Sequence, residues 1–325
     1  TSLIRLSKKI FGAGGWSSGG DMNTASGDGA SCGTQTAAIF MGGTTGSGNY
    51  NNNSEKYNGS AWTATPNLNT SRRAGTGMGS NVAALVATGQ VDGSHTVNVE
   101  SWDNSSWTEI ANVNTARRGP GASASGTATA SIIFGGFESG NKDLTEEYNG
   151  TSWAEVGDLN QARMLLGGAG NAEAAIAMGG DTAGGGGTGV VSAEVWNGTA
   201  WTEVAGNLGT ARYGGGSAGS TSAALYISGV TGSTILTNVE DWNGTSWTEV
   251  ADLNVGGRNM GASGNAGNTV GLCAGRYSPA ASSAVANTET WNGSAWTEVN
   301  DLNTAKRKMG GGGTPSSSII FGGNV

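Results

Sequence analysis

The stretch Ser-Trp-Thr-Glu-Ile-Ala-Asn-Val-Asn-Thr-Ala-Arg, from Ser106 to Arg117, decides how this chain is read. Its opening returns as Ala200-Trp201-Thr202-Glu203, as Ser246-Trp247-Thr248-Glu249 and as Ala295-Trp296-Thr297-Glu298. The tryptophan of the phrase stands at Trp16, Trp62, Trp107, Trp153, Trp201, Trp247 and Trp296, with spacings of 46, 45, 46, 48, 46 and 49 residues. That period suits a four-stranded propeller blade.

Working outward, each period divides into four short strands. The first is rich in glycine, as in Arg118 to Ser125. The second is apolar and ends in glycine, as in Ser131-Ile132-Ile133-Phe134-Gly135-Gly136. The third alternates, as in Val99-Glu100-Ser101-Trp102, and the fourth holds the key tryptophan. Between third and fourth stands Asn58-Gly59, Asn149-Gly150, Asn197-Gly198, Asn243-Gly244 or Asn292-Gly293, with Asp103-Asn104 in the second repeat. Asn-Gly is expected to supply the positive φ angles of a tight two-residue hairpin.

These features resemble the kelch repeat. Glycine doublets follow the apolar strand at Gly42-Gly43, Gly135-Gly136, Gly179-Gly180 and Gly322-Gly323, while Gly89-Gln90, Gly229-Val230 and Ala274-Gly275 depart from the pattern. The aromatics Tyr57, Trp102, Tyr148, Trp196, Trp242 and Trp291 each have a glutamate two residues earlier, from Glu55 to Glu289. The resemblance covers the whole chain. It implies an all-β fold, a seven-bladed kelch-type β-propeller with four antiparallel strands per blade. It implies little about function, because such scaffolds serve enzymes, adaptors and structural proteins alike.

A single domain over 1–325 is expected, with full blades at about 24–69, 70–114, 115–160, 161–208, 209–254 and 255–303. The tail, Met309 to Val325, has two strands and stops; the head begins where a blade would continue. Phe11 lies five residues before Trp16, as Trp196 lies five before Trp201. The last blade is therefore expected to be composite, from 304–325 plus 1–23, which removes the open edges of an unclosed ring.

Strand direction sorts the loops onto two faces. The loops between second and third strands differ from blade to blade: compare Thr44 to Ser54, Phe137 to Leu144, Asp181 to Val191 and Arg276 to Asn287. Variable loops on a rigid scaffold are where binding concentrates. The repeat aromatics belong to the core, so Tyr50, Phe137 and Tyr277, which fall in these loops, are candidate binding residues. Basic blade openers, Arg72, Arg117, Arg163, Arg212, Arg258 and Arg307 of the Lys306-Arg307 pair, are candidates for holding an anion. The alternative is structural pairing with the repeated glutamates, one per blade. The Asn-X-Ser/Thr sequons at the hairpins read as turn chemistry rather than glycosylation sites.

Composition narrows the function. The chain has 325 residues, 60 glycines, 11 tryptophans, 12% charged residues and a formal net charge of −8. No broad basic surface exists to neutralise phosphates, which argues against nucleic acid. Cys32 and Cys273 read as unpaired small apolar residues. No apolar run has the length of a membrane-crossing helix, and no signal-peptide core follows the basic start at Arg5, Lys8 and Lys9. A copper radical oxidase on a kelch scaffold, a zinc site or a Ser-His-Asp triad each needs histidine, and His95 is the sole histidine. No catalytic residue, metal or cofactor is expected.

The expected function is therefore non-enzymatic: a binding or structural propeller that engages protein or surface glycan, without nucleic acid or membrane insertion, within a larger assembly. The bias toward Gly, Ser, Thr, Asn and Ala resembles bacterial and phage kelch-type surface proteins. That likeness implies a virion protein (tail fibre, decoration or host attachment) or a cell-surface protein at an extracellular location. A carbohydrate-binding lectin is the alternative, and an enzyme of unknown type the third reading.

Overall fold

The computed structural model describes residues 7–9, 16–17, 19–45, 49–123, 126–185, 187–263, 267–278, 281–314 and 316–325. It is an all-β propeller. One blade shows the plan. Strands Thr76–Gly79, Ala84–Ala87, Val99–Trp102 and Trp107–Glu109 pair antiparallel in that order, from axis to rim. The second strand is wholly buried because it lies between neighbours in its own sheet and between neighbouring blades. The first is glycine-rich because the next blade presses on it: a Cβ on Gly77 would stand 2.8 Å from the backbone of Ser31.

Apolar clusters form between blades, not within them. Ile132 and Phe134 of one blade pack with Ala175, Ala177, Trp196 and Trp201 of the next. Third- and fourth-strand aromatics pair at the rim end, as Trp196 and Trp201 do at 5.6 Å between ring centroids. Innermost strands touch in a ring that closes between Gly310–Thr314 and Ala30–Thr34.

The expected wheel of seven like blades is corrected. Six blades, not seven, are copies of the repeat, each from one continuous stretch of chain. The remaining four-stranded sheet is stitched from Gly310–Thr314 and Ser317–Phe321 with Ser7–Lys9 and Trp16–Ser17. Its outer strands are only 3 and 2 residues long. Lys9, rather than Phe11, stands opposite Trp16. Phe11 lies outside the described residues. The segment Ser7-Lys8-Lys9 carries neither the glutamate nor the aromatic of the repeat, so it cannot reproduce the repeat's packing. Trp16 still docks on the preceding blade, donating its indole N–H to Thr288 Oγ1 at 3.0 Å, as Trp201 does to Thr145 Oγ1 at 2.9 Å.

Two local expectations also change. Asn58 stands at the first corner of its hairpin, outside the two central positions. Its Oδ1 accepts from the N–H groups of Ser60 and Ala61 at 3.0 and 2.9 Å, and Gly59 takes the positive φ of 97°. Asn149, Asn197, Asn243 and Asn292 do the same, so the sequon asparagines are bound into turns. The glycine doublets also need a one-residue shift in three blades. The left-handed position that ends the second strand, or interrupts it at Ser228 and Gly275, is held by Gly42, Thr88, Gly135, Gly179, Ser228, Gly275 and Gly322, with φ between 51° and 65°. The equivalent pairs are thus Thr88-Gly89, Ser228-Gly229 and Gly275-Arg276.

A collar surrounds the axis at the loop end. Asp28, Ala74, Gly119, Leu165, Gly214, Asn259 and Lys308 all have φ between 50° and 67°. That twist turns their N–H groups along the ring. Ala74 N donates to Asp28 O (2.8 Å), Gly119 N to Ala74 O (3.1 Å), and Lys308 N to Asn259 O (3.0 Å). Asp28 N bonds Lys308 O at 3.1 Å, joining the first blade's collar residue to the last. The collar fixes what surrounds it.

Candidate functional site

Each blade opens with two adjacent positions whose fates differ. The first points inward. Arg72, Arg117, Arg163 and Arg212 are buried and pair with Glu100, Glu146, Glu194 and Glu240 at 2.7, 2.6, 2.9 and 2.9 Å. The glutamates also clamp the linker from the preceding blade. Glu146 accepts from Asn114 N at 2.6 Å, Asn114 Nδ2 at 2.9 Å and Thr115 N at 3.3 Å. Burial pushes the Arg72, Arg117 and Arg163 guanidiniums below their ordinary range, and the paired glutamates oppose this. These four arginines hold blades together. The structure places them in the blade interior, away from the loop-face mouth.

The second position faces the mouth of the axis. It is held by Gly27, Arg73, Arg118, Met164, Tyr213, Arg258 and Arg307, bridged to Thr44, Gln90, Phe137, Asp181, Val230, Tyr277 and Asn324, at or just beyond the end of each second strand. Arg258 and Arg307 therefore belong to a different column from Arg72. The inner position of their blades is filled by Gly257 and Lys306. Sequence reasoning missed Arg73 and Arg118. The signal was present in the doublets Arg72-Arg73 and Arg117-Arg118, aligned on the preceding Asn-Thr.

Here the outward arginines meet the loop aromatics Tyr50 and Phe137, and Tyr277, which lies not in the expected loop but in the strand Gly271–Ser278, paired with Ser283–Trp291. The Arg73 guanidinium lies 5.2 Å from the Tyr50 ring centroid, and Arg118 lies 5.1 Å from that of Phe137. Arg258 and Arg307 share one ring, Tyr277, at 5.5 and 4.7 Å. Such contacts orient a guanidinium without neutralising it. Arg73 also forks onto Gln90 Oε1 at 3.0 and 2.8 Å, a neutral acceptor. His95 meets the edge of Phe137 at 6.0 Å, and burial and Arg118 push its imidazole below the ordinary histidine range. Lys308 pairs with Asp28 at 2.9 Å across the closing seam.

The other end of the axis differs in chemistry. A cavity of about 660 Å³ is lined by first-strand and turn residues, among them Ser31, Thr34, Ser80, Thr127, Ser217 and Gly312. Among the described residues, no charged group lines it. Among the described residues, no group of three or more His, Cys, Asp or Glu side chains is placed to hold a metal ion. Cys32 and Cys273 are both free thiols, and burial pushes them up to about 12 and about 11.

Fold and site together define a β-propeller with an arginine- and aromatic-lined mouth. No protein-family model matches the chain, and no curated protein matches it. Among solved structures it is similar to the one titled "Structure of YjhT", with a TM-score of 0.65 and 12% identity. The match covers 85% of this chain and 98% of that one. At that identity the likeness shows the propeller fold alone.

Proposed function

We propose that this chain is a non-enzymatic binding propeller whose loop face is its contact face. The carrying observation is convergence. Tyr50 and Phe137, from loops of two blades, and Tyr277, from a second-strand end of a third, meet four guanidiniums at one end of the axis, while the repeat aromatics are spent between blades. Rigid aromatics beside arginine are the side chains that dominate contact energies in protein interfaces. The kelch-like repeat and the Gly/Ser/Thr/Asn/Ala-rich wording support display on a surface. The reading is a virion protein of the tail-fibre, decoration or receptor-binding kind, or a cell-surface protein.

A fluorescently labelled chain, incubated with intact bacterial cells, tests the reading. Wild type is expected to bind and the Tyr50→Ser, Phe137→Ser, Tyr277→Ser triple variant to lose binding. Equal binding by both would remove the loop face from the contact. The lectin alternative draws on the half-buried Tyr50 and Tyr277 rings, which suit stacking on sugar. Selective signals on a glycan array would favour it, and broad silence would count against it.

A further inference from the structure

The protein carries a formal net charge of −8, yet four arginines gather at its loop-face mouth without a salt bridge. All 24 carboxylates lie among the described residues. None stands within 4.0 Å of the guanidiniums of Arg73, Arg118, Arg258 or Arg307. Asp92 lies exposed in the turn between Gln90–Val91 and Ser94–His95, and three other acids of this face are engaged elsewhere. Asp28 pairs with Lys308 and Glu138 with Lys142. Asp181 is buried and accepts from the backbone of Ala183, Gly185 and Thr188. At Tyr277 two like-charged groups approach one ring. The Nε atoms of Arg258 and Arg118 are buried and have no hydrogen-bond partner in the structure. Two cations so held repel each other, and an anion between them removes that repulsion.

We propose that this mouth is an oxyanion site in which Arg258 and Arg307, steadied on Tyr277, hold a carboxylate group of an acidic ligand. Arg73 and Arg118 extend the positive arc beyond the glycine gap at Gly27, and Met164, Leu165 and Tyr213 complete the ring as its apolar side. A planar guanidinium matches a carboxylate with two parallel N–H donors, and fixed donors lose little freedom on binding. The ligand is thus a compact di- or tricarboxylate, or an acidic residue presented on a chain. This inference rests on the loop face being the contact face and adds the chemistry of what it takes.

Calorimetric titration of the full chain at low ionic strength, with citrate and with a hexa-aspartate peptide as separate probes, tests it. The probes distinguish the two sources of the same carboxylate chemistry. Wild type is expected to bind at least one. Arg307→Gln is expected to weaken binding about tenfold and Arg258→Gln with Arg307→Gln to remove it. Arg307→Lys, which keeps charge but loses the fork, falls between. Glu249→Gln on the outer rim leaves binding unchanged. Thermal melts establish that each variant is folded, and Arg307→Lys serves if the double variant is not. Silence of both probes against wild type, or equal binding by folded wild type and double variant, overturns the proposal. If that happens while the aromatic triple variant still loses cell binding, only the ligand chemistry falls and the contact face stands.

Discussion

The side chain of Arg276 occupies the space that Gly257 leaves open. A Cβ on Gly257 would stand 2.7 Å from Arg276 Cγ, and Arg276 Nη2 lies 3.4 Å from Glu289 Oε1. Elsewhere the arrangement is reversed. A Cβ on Gly136 would stand 3.3 Å from Arg117 Cδ, and one on Gly180 would stand 3.2 Å from Arg163 Cδ. Five blades hold one guanidinium against their glutamate, Ser26 stands in its place in the blade of Glu55, and in the blade around Glu289 the guanidinium comes from the second strand. Arg276→Gly should therefore cost about 3–5 kcal/mol by leaving Glu289 buried without a cation. Gly257→Arg alone should also destabilise, by overpacking an occupied slot. Together they should restore most of the loss, because the slot is again filled once. Denaturant midpoints of the four proteins measure this, and a purely additive loss would refute a shared slot.

Arg117–Glu146 and Lys142–Glu138 lie in the same blade and differ in burial. The first pair is fully buried, whereas the second is 24% and 38% exposed. Glu146→Ala should cost about 3–5 kcal/mol, since it strands Arg117 and releases the Asn114 linker. Glu138→Ala should cost under about 1 kcal/mol. Equal losses in urea denaturation would show that the buried pair is not the blade clamp.

Thr88 and Ser228 take the left-handed position that glycine holds in the other blades, with φ of 62° and 56°. The Thr88 hydroxyl is buried without a partner, whereas Ser228 Oγ donates to Leu236 O and accepts from Gly257 N. Thr88→Gly should stabilise by about 1 kcal/mol, relieving strain and an unmet hydroxyl. Ser228→Gly should be neutral or destabilising. Thermal shifts in opposite directions, or a clear gap between the two, check the distinction.

Lys306 is buried, and burial pushes its amine down from the ordinary 10.5 to about 8, with Asp21 pulling the other way. Below about pH 8 both folded and unfolded states carry the proton, so the folded state bears the full burial cost. Between about 8 and 10.5 the unfolded chain binds more protons, so stability should rise with pH through that window. The gap corresponds to about 3 kcal/mol at most. Lys306→Met should flatten this rise. An unchanged pH profile of unfolding free energy would place its origin elsewhere.

The residues of the candidate site could be picked out one by one from the sequence, but where they would meet could not. Tyr50, Phe137 and Tyr277 stood out because the repeat did not need them. The role of Arg72, Arg117, Arg163 and Arg212 as partners of one glutamate per blade could be weighed from stoichiometry. The division between inward and outward arginines could not. Counting basic residues merges Arg72 with Arg258, although they occupy adjacent positions of the repeat and point differently. The swap of Gly257 and Arg276 was equally hidden, because the two lie on different strands.

The amino-acid order alone determined the propeller plan and its period of about 46 residues. Periodic glycine, glutamate and tryptophan are demands that every blade makes on itself and on its neighbour, so the demand repeats wherever the blade does. Only the tertiary structure decided how the termini meet. It also decided which arginines are neutralised and which stand uncompensated at the mouth. Those outcomes depend on contacts between residues far apart in the chain, such as Lys308 with Asp28, where distance and burial set the electrostatics. Local pattern carries no record of either.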